Sequence, residues 1–270
     1  MTDPNPVQLR QWADAPYPLI ETPKHKEGKA EFSSTRIGNT DPYMEAASTM
    51  CVVHNSLLRG LNSIYIQGPN ILPADYADFI GYSLCWYSVV HEHHTSEEDM
   101  FFPQIEEAVG EKGLLDSNVE EHKSFQSGLD EFNNYLSGLV GKESSFNAEH
   151  LNSIIALFAP ALCNHLAAEI PSLLALSKYG ANLPIEDLWS KEGKHTVTAM
   201  TKFNALPFFF LNLDVTHEEH LWKDWPPIPG PARWMITHCF TLWHRGYWKF
   251  ASCDASGVPR PLYAPGPRGG

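Results

Sequence analysis

The sequence has few cysteines and none of the spacings that make a disulfide framework. The five cysteines, an odd number, stand at positions 51, 85, 163, 239 and 253, and no Cys-x-x-Cys pair occurs. Disulfide-rich domains and zinc ribbons both need closely paired cysteines. We therefore expect free, mostly buried thiols. Such thiols are typical of a reducing compartment, so we expect a soluble, cytoplasmic protein.

Basic residues are also scarce. The chain carries 19 Lys and Arg against 32 Asp and Glu, a formal net charge of -13. Nucleic acids and anionic membrane surfaces bind proteins with a positive excess. The N-terminus lacks the charged and then apolar pattern of a signal peptide, and we identify no apolar run long enough to span a membrane. We expect neither nucleic acid nor a membrane as a partner.

Several common catalytic signatures are missing. The chain contains no Gly-x-Ser-x-Gly, no P-loop and no Gly-x-Gly-x-x-Gly sequence. His217-Glu-Glu-His220 lacks the spacing of a His-Glu-x-x-His zinc protease. The sequence therefore gives no support for a hydrolase, a nucleotide-binding protein or a zinc protease of the usual kinds.

Apolar residues recur at intervals of three and four over most of the first 180 residues, which predicts an all-α protein. Four long helices are expected at about 42–67, 73–109, 117–139 and 147–179. Pro103 should bend or interrupt the second helix, and Ser117-Asn-Val-Glu120 is a candidate capping box for the third. Gly180 is the expected C-cap of the fourth helix, which Pro160 and Pro171 should distort.

The composition divides the chain into three parts. Residues 1–40 are rich in proline and polar residues and are expected to form an extended arm on the domain, and residues 41–180 form the helical bundle. Residues 181–270 are an aromatic and proline-rich C-terminal extension, in which five of the eight tryptophans follow residue 220. We expect this extension to cover the bundle. Helices are predicted at 186–204 and about 233–247, and a possible hairpin near 248–262.

Four histidines, one in each long helix, form the most informative pattern, and two of them precede a glutamate by four residues. Residues at i and i+4 lie on one face of a helix. These carboxylates fall on apolar stripes, where burial without a partner would cost several kcal/mol. Imidazole and carboxylate groups from four helices can hold a pair of non-haem irons. The candidate ligands are His54, His93, Glu97, His122, His165 and Glu169.

The register of the second helix leaves an alternative. His94 and Glu98 are also four residues apart, about 100° around the helix. We prefer His93 and Glu97 because they follow the apolar stripe, and we keep His94 and Glu98 as less certain ligands. His91 and His94 could also be extra ligands, or outer partners of the ligands. On this register, His93→Ala or Glu97→Ala should lose most bound iron, whereas His94→Ala should keep most of it.

The segment His93-His-Thr-Ser-Glu97-Glu-Asp-Met-Phe-Phe-Pro103 resembles the signature of the hemerythrin-like (HHE cation-binding) family. His54-Asn-Ser-Leu-Leu-Arg59, Glu121-His122 and His165-Leu-Ala-Ala-Glu169-Ile-Pro171 are similar to the other helices of that family, in order, so the resemblance covers residues 44–178. It implies an up-down-up-down four-helix bundle with two non-haem iron ions. The glutamates would bridge the irons and the histidines would cap them, with an oxo or hydroxo group completing the bridge and dioxygen as ligand or co-substrate.

Two positions depart from the oxygen carriers of that family. The third helix has Gln126, a further uncertain ligand, where carriers have a second histidine. The last acid is Glu169, four residues after His165, where carriers have an aspartate five residues on. An iron position left open favours chemistry over simple carriage. The extension resembles extensions of fungal hemerythrin-like proteins, and structural cover and a role in a substrate pocket are both open for it.

Three functional hypotheses follow. We favour a di-iron protein that binds and activates dioxygen, an oxygenase or oxidase acting on a small hydrophobic molecule. The alternative is a non-catalytic protein that binds or senses oxygen or iron. A structural protein with incidental histidines is the third.

Overall fold

The computed structural model describes residues 12–31 and 41–266, and within these ranges the protein is all-α, as predicted, with no strand. The helices, in chain order, are α1 Pro23–Glu31, α2 Pro42–Gln67, α3 Tyr76–Ser96, α4 Phe102–Val109, α5 Asp116–Leu139, α6 Ala148–Ala175, α7 Ile185–Ala199 and α8 Ala205–Phe210. Shorter helical turns occupy Gly68–Asn70, Pro73–Asp75, Glu97–Phe101, Glu143–Ser145, Leu176–Asn182, His217–His220, Gly230–Trp234, Met235–Cys239, Phe240–Leu242 and Tyr247–Phe250.

Helices α2, α3, α5 and α6 form a four-helix bundle. Each packs against two others, in the ring α2–α3–α5–α6–α2. Short connections join consecutive helices, which favours antiparallel neighbours. The chain therefore runs up, down, up and down, and the interior of the bundle is lined by one face of each helix.

Local sequence explains where the bundle helices begin. The Asp41 carboxylate accepts a hydrogen bond from the backbone N–H of Tyr43, and Pro42 fits the first turn of α2. Asn147 caps α6 in the same way, through the N–H of His150. The capping box predicted at Ser117 is wrong, because α5 begins one residue earlier and its N-cap, Leu115, makes no side-chain cap bond.

The second predicted helix is interrupted as Pro103 indicated. α3 ends at Ser96, one wider π-helical turn spans Glu97–Phe101, and α4 begins at Phe102. A proline lacks the N–H that an unbroken helix needs, and π turns are frequent at functional sites. Here the wider turn starts at a candidate ligand, Glu97.

Helix α6 stays continuous through Pro160 and Pro171 and passes into a 3₁₀ turn that contains Gly180 with φ 50°. Together, Ala148–Asn182 are long and apolar enough to cross a membrane by length and composition, contrary to the expectation from sequence. The same helix forms one wall of the bundle and carries the buried His165 and Glu169. Its apolar composition is accounted for by this packing.

The segments that flank the bundle differ from the sequence expectation in two respects. The N-terminal arm is not wholly extended, since it contains α1; residues 1–11 and 32–40 lie outside the described residues. The hairpin predicted near 248–262 is reduced to a single antiparallel bridge between Cys253 and Pro259, on either side of Gly257. Aromatic residues of the extension pack on the bundle: Phe208 contacts Tyr82, and Phe250 contacts Phe79.

Two apolar clusters fill the interior. The larger includes Leu57, Trp86, Phe125 and Leu162 with much of the extension. The smaller includes Met50, Phe101 and Leu173 with the start of α7. On α3 the ligands lie in sequence between residues of the two clusters, and on α6 Glu169 lies between Leu166 of the larger cluster and Ile170 of the smaller. A polar layer thus separates the two clusters.

Candidate metal centre

The bundle brings all six principal candidate ligands together. Each is at most 5 % exposed, and both carboxylates are fully buried. Together with His94, these residues place their donor atoms in two groups, each compact enough for one metal ion. The first group is His54, His93, Glu97 and Glu169, and the second is His94, Glu97, His122 and His165. Glu97 belongs to both groups.

The first group joins α2 to α3 and α6. The Nε2 atoms of His54 and His93 are 3.1 Å apart. His54 Nε2 lies 3.3 Å from Glu169 Oε2, and His93 Nε2 lies 3.3 Å from Glu97 Oε1. Two imidazoles and two carboxylates therefore converge on one position.

The second group joins α5 to α6 and α3. The Nε2 atoms of His122 and His165 are 3.0 Å apart. His122 Nε2 lies 3.6 Å from Glu97 Oε2, and His165 Nε2 lies 4.0 Å from Glu169 Oε2. Both glutamates thus lie between the two pairs of histidines, which is where a carboxylate must lie to bridge two ions.

Hydrogen bonds outside the cluster set the tautomers of three histidines. His122 Nδ1 donates to Glu98 at 2.6 Å, and His165 Nδ1 donates to Glu121 at 2.9 Å. His54 Nδ1 donates to the carbonyl oxygen of Leu166 at 2.8 Å. Each bond puts the proton on Nδ1 and leaves a lone pair on Nε2, the usual arrangement for a metal-binding histidine.

These tautomers make the second group unfavourable without a cation. The two lone pairs of His122 and His165 face each other across 3.0 Å. Neither oxygen of Glu97 or Glu169 has a hydrogen-bond partner among the described residues. Buried carboxylates without partners cost several kcal/mol, and metal ions would offset that cost. The donors present therefore fit two transition-metal ions.

His94 belongs to the cluster as well. It is 6 % exposed, and neither ring nitrogen has a hydrogen-bond partner in residues 12–31 and 41–266. Its ring packs against those of His122 and His165. Because Glu97 is four residues after His93 and three after His94, both histidines are its helical neighbours. The sequence interpretation preferred His93 and kept His94 as a possible extra ligand, and the structure places both beside Glu97.

Two of the less certain ligands lie elsewhere. Glu98 is exposed and reaches only the outer nitrogen of His122, so it orients a ligand. Gln126 is exposed and donates to Asp130, because it lies on the outer face of α5. His94 from α3 adds a nitrogen donor to the group that contains His122 and His165, so this group has three imidazoles without a donor from Gln126.

Burial dominates the electrostatics of the cluster. It lowers the pKa of His93 and His94 well below the ordinary histidine value, and neighbouring histidines lower both further. It also raises the pKa of Glu97 well above its usual range, and the charges of Glu169 and Glu192 raise it further. Burial lowers the pKa of His165 as well. Neutral imidazoles are the form that binds metal.

A further buried carboxylate was missed from the sequence. Glu192 of α7 is 5 % exposed, and its charge acts on both Glu97 and Glu169. It lies outside the four helices that carry the histidine pattern. The sequence gave only a weak indication that Glu192 is buried, namely its position four residues after Leu188, on the same face of α7.

Comparison with known proteins agrees with this geometry. The family model for the hemerythrin HHE cation-binding domain matches residues 48–175. The chain belongs to this family, and the predicted family and bundle fold are confirmed. Members of the family bind metal cations, and the described His and Glu clusters could hold them.

One relative extends the similarity beyond the bundle. The chain is 30 % identical over 258 residues to the dimeric xanthone biosynthesis cluster protein R11 of Cryptosporiopsis sp. (strain 8999). The alignment covers 94 % of this chain and 93 % of the relative, so it includes the extension. No solved structure matches the chain.

Proposed function

We propose that the protein is a soluble, cytoplasmic non-haem di-iron oxidoreductase that binds and activates dioxygen, an oxygenase or oxidase acting on a small hydrophobic molecule. The observation that supports it most is the position of Glu97 and Glu169 between two groups of histidines. Two ions held by shared carboxylates fit this arrangement, and nitrogen with carboxylate oxygen is a donor set that suits iron.

In this proposal the two positions differ in their nitrogen donors. His54 and His93 would hold the first ion, and His94, His122 and His165 would hold the second. Glu97 and Glu169 would bridge them. The first position has one imidazole fewer, which leaves room there for an exogenous ligand. A ferrous pair supplies the electrons that reduce dioxygen.

The protein's own groups orient the ligands and exclude water. Glu98 and Glu121 hold the imidazoles of His122 and His165 in one tautomer, and Leu166 does so for His54. The apolar clusters on either side of the polar layer keep bulk water out. A dry site strengthens the electrostatic interactions inside it.

The similarity to the relative supports an enzymatic role and a substrate class. Its name assigns it to a cluster for xanthone biosynthesis. We propose that the substrate is a xanthone or a related aromatic intermediate. A polycyclic aromatic molecule of this kind is small and hydrophobic, as the sequence hypothesis expected.

Elemental analysis after anaerobic Fe(II) loading tests the metal centre. We expect about two irons per wild-type chain, and at most one in Glu97→Ala, because Glu97 contributes to both groups. Glu107→Ala, which removes an exposed glutamate of α4, is the matched control and should keep both irons. A wild-type protein without bound iron would contradict the proposal.

A thermal-shift screen of the iron-loaded protein tests the substrate class. Saturable stabilisation by a xanthone, absent with an equally apolar aliphatic compound, is the expected result. Dioxygen consumption that depends on the stabilising compound would then establish the reaction. Failure of every aromatic compound to stabilise the protein would count against an organic substrate.

One observation favours the non-catalytic alternative, an oxygen- or iron-binding or sensing protein. The donor atoms are enclosed, and a cavity of about 320 Å³ lies in the extension, lined by residues such as Thr237, Arg245 and Trp248 rather than by the ligands. An enclosed centre admits dioxygen more easily than a polycyclic molecule. Iron binding without any stabilising organic compound is the outcome this alternative predicts.

A further inference from the structure

Helix α7 brings a third buried carboxylate to the centre from outside the matched domain. The family match ends at residue 175, and α7 spans Ile185–Ala199. The helix packs on α2, α3 and α4, with Trp189 against Phe101. The extension thus closes the bundle on the side where the π-helical turn begins.

The side chain of Glu192 is held at one oxygen and has no partner at the other. Thr196 Oγ1 donates to Glu192 Oε1 at 2.9 Å. Thr196 Oγ1 also lies 3.4 Å from Ser96 Oγ, next to the ligand Glu97. Glu192 Oε2 is buried and has no hydrogen-bond partner among the described residues. This oxygen therefore has no hydrogen bond from the chain to compensate its charge.

Glu192 lies near the bridging ligand Glu97, because the Thr196 hydroxyl that donates to its carboxylate also lies 3.4 Å from the hydroxyl of Ser96, the residue before Glu97. The charge of Glu192 is one of the causes that raise the pKa of Glu97, and the charge of Glu169 raises the pKa of Glu192. Its donor atoms are not part of either ligand group. A negative charge beside a cation centre, but not bound to it, repels any anion that approaches the same centre.

We propose that Glu192 is a positioning residue of the metal centre, whose carboxylate sets how tightly the centre binds small anionic ligands. The inference rests on the proposed di-iron function. It assigns to the extension a direct influence on the centre, beyond covering the bundle.

Azide binding to the iron-loaded ferric protein is the test, with the charge-transfer absorption of the azide complex as readout. Glu192→Gln keeps the shape and removes the charge, so azide should bind about tenfold more tightly, with a shifted absorption band. Glu192→Asp keeps the charge and should stay within about threefold of wild type. Glu186→Gln, on the exposed side of the same helix, removes an equal but solvent-screened charge and should change nothing.

Iron content, measured on the same samples, separates the possible failures. Iron-loaded Glu192→Gln that binds azide within twofold of wild type, with an unchanged band, overturns the role of Glu192 and leaves the di-iron proposal intact. Loss of iron from folded Glu192→Gln also overturns it, because a residue outside the ligand set is not needed to hold the metal. Absence of iron from the wild type overturns both proposals. Should Glu192→Gln fold poorly, Glu192→Ala must give the same direction of change.

Discussion

Polar side chains are buried in two regions of the bundle, the C-terminal end of α2 and the metal centre, and only the first satisfies its hydrogen bonds within the described residues. Towards the C-terminal end, Asn62 donates to the carbonyls of Ala13 and Tyr17, at 2.9 and 2.8 Å. Gln67 donates to Phe250 O at 3.0 Å and accepts from the N–H of Ala264. These polar groups hold the N-terminal segment and the extension on the bundle.

The metal centre shows the opposite pattern. The ring of His54 lies beside Glu169, whose two oxygens have no hydrogen-bond partner among the described residues. A buried polar group that is satisfied by the chain has a structural role, whereas a cluster that is left unsatisfied indicates a bound group. Burial alone does not distinguish the two regions, since both are fully buried. The distinction comes from the hydrogen-bond partners.

The largest expected effect comes from removing the part of the extension that packs on α2 and accepts or donates hydrogen bonds at its C-terminal end. Deletion of residues 205–270 exposes Phe79, Tyr82 and Trp86 and removes Asp214, one of the two carboxylates that pair with the buried Arg59. We expect an insoluble bundle, because a large exposed apolar patch is costly. Soluble yield, compared with the full chain carrying the same tag, is the measurement. A soluble, iron-loaded 1–204 fragment would show that the two regions are independent.

A single histidine sharpens the comparison at the metal centre. His94→Ala removes a donor of the second group, so we expect iron affinity at one position to fall roughly 10- to 100-fold, and about one iron per chain after dialysis. His91→Ala, exposed on the same helix, should keep two irons. Retention of both irons by His94→Ala would restore the original prediction from sequence, in which His94 is not required.

The pH dependence of the metal-free protein tests whether the cluster is unsatisfied without metal. Burial lowers the pKa of His93, His94 and His165, so the unfolded chain binds more protons at these groups, and stability falls as pH drops below about 6.5. The pKa values of Glu97 and Glu192 are raised by burial, so these two carboxyl groups act in the opposite direction as the pH falls towards the ordinary glutamate value.

Three imidazoles outweigh two carboxyl groups over this range. We therefore expect the free energy of unfolding of the metal-free protein to fall by about 1–3 kcal/mol between pH 7 and pH 5. Denaturant unfolding at several pH values measures it, with His93→Phe as a variant that should have a shallower slope. A metal-free protein equally stable at pH 5 and pH 7 would contradict the expected burial of neutral histidines.

The smallest effects concern two helical glycines. A Cβ at Gly60 of α2 would lie 2.6 Å from Phe208 Cζ and 2.8 Å from Trp86 Cδ1, so Gly60→Ala should destabilise the protein by about 1–3 kcal/mol. Gly138→Ala on α5 meets no atom within 4 Å and should stabilise it by about 0.5–1 kcal/mol. Thermal unfolding of both variants measures the difference. Equal effects would mean that the extension does not pack tightly at Gly60.

Sequence patterns predicted the parts of the molecule that depend on local periodicity. The four bundle helices and the interruption near Pro103 follow from spacing and from proline chemistry, and the structure contains both. The six principal candidate ligands converge because they lie on the inward faces of those helices. The failed capping box at Ser117 and the reduced hairpin depend on weaker local signals that packing overrides.

The remaining features depend on contacts between distant segments. His93 was preferred to His94 because an isolated helix presents them about 100° apart, and only the packed bundle shows that both lie near Glu97. Glu192 belongs to a helix with few apolar positions, so its own segment gave only a weak signal that it is buried. Distant pairs of this kind cannot be identified from spacing in a single chain.

The order of synthesis gives helix α2 a particular folding problem. Twenty of its 26 residues are buried, and the partners of Arg59, Ser63 and Gln67 include Asp214, Phe250 and Ala264. These partners leave the ribosome 155 to 197 residues later than the helix. Until the last part of the chain emerges, one face of α2 has no cover, so chaperone binding or transient aggregation competes with folding at that stage. The buried contacts of the first bundle helix are therefore completed only after the residues around Ala264 have been synthesised.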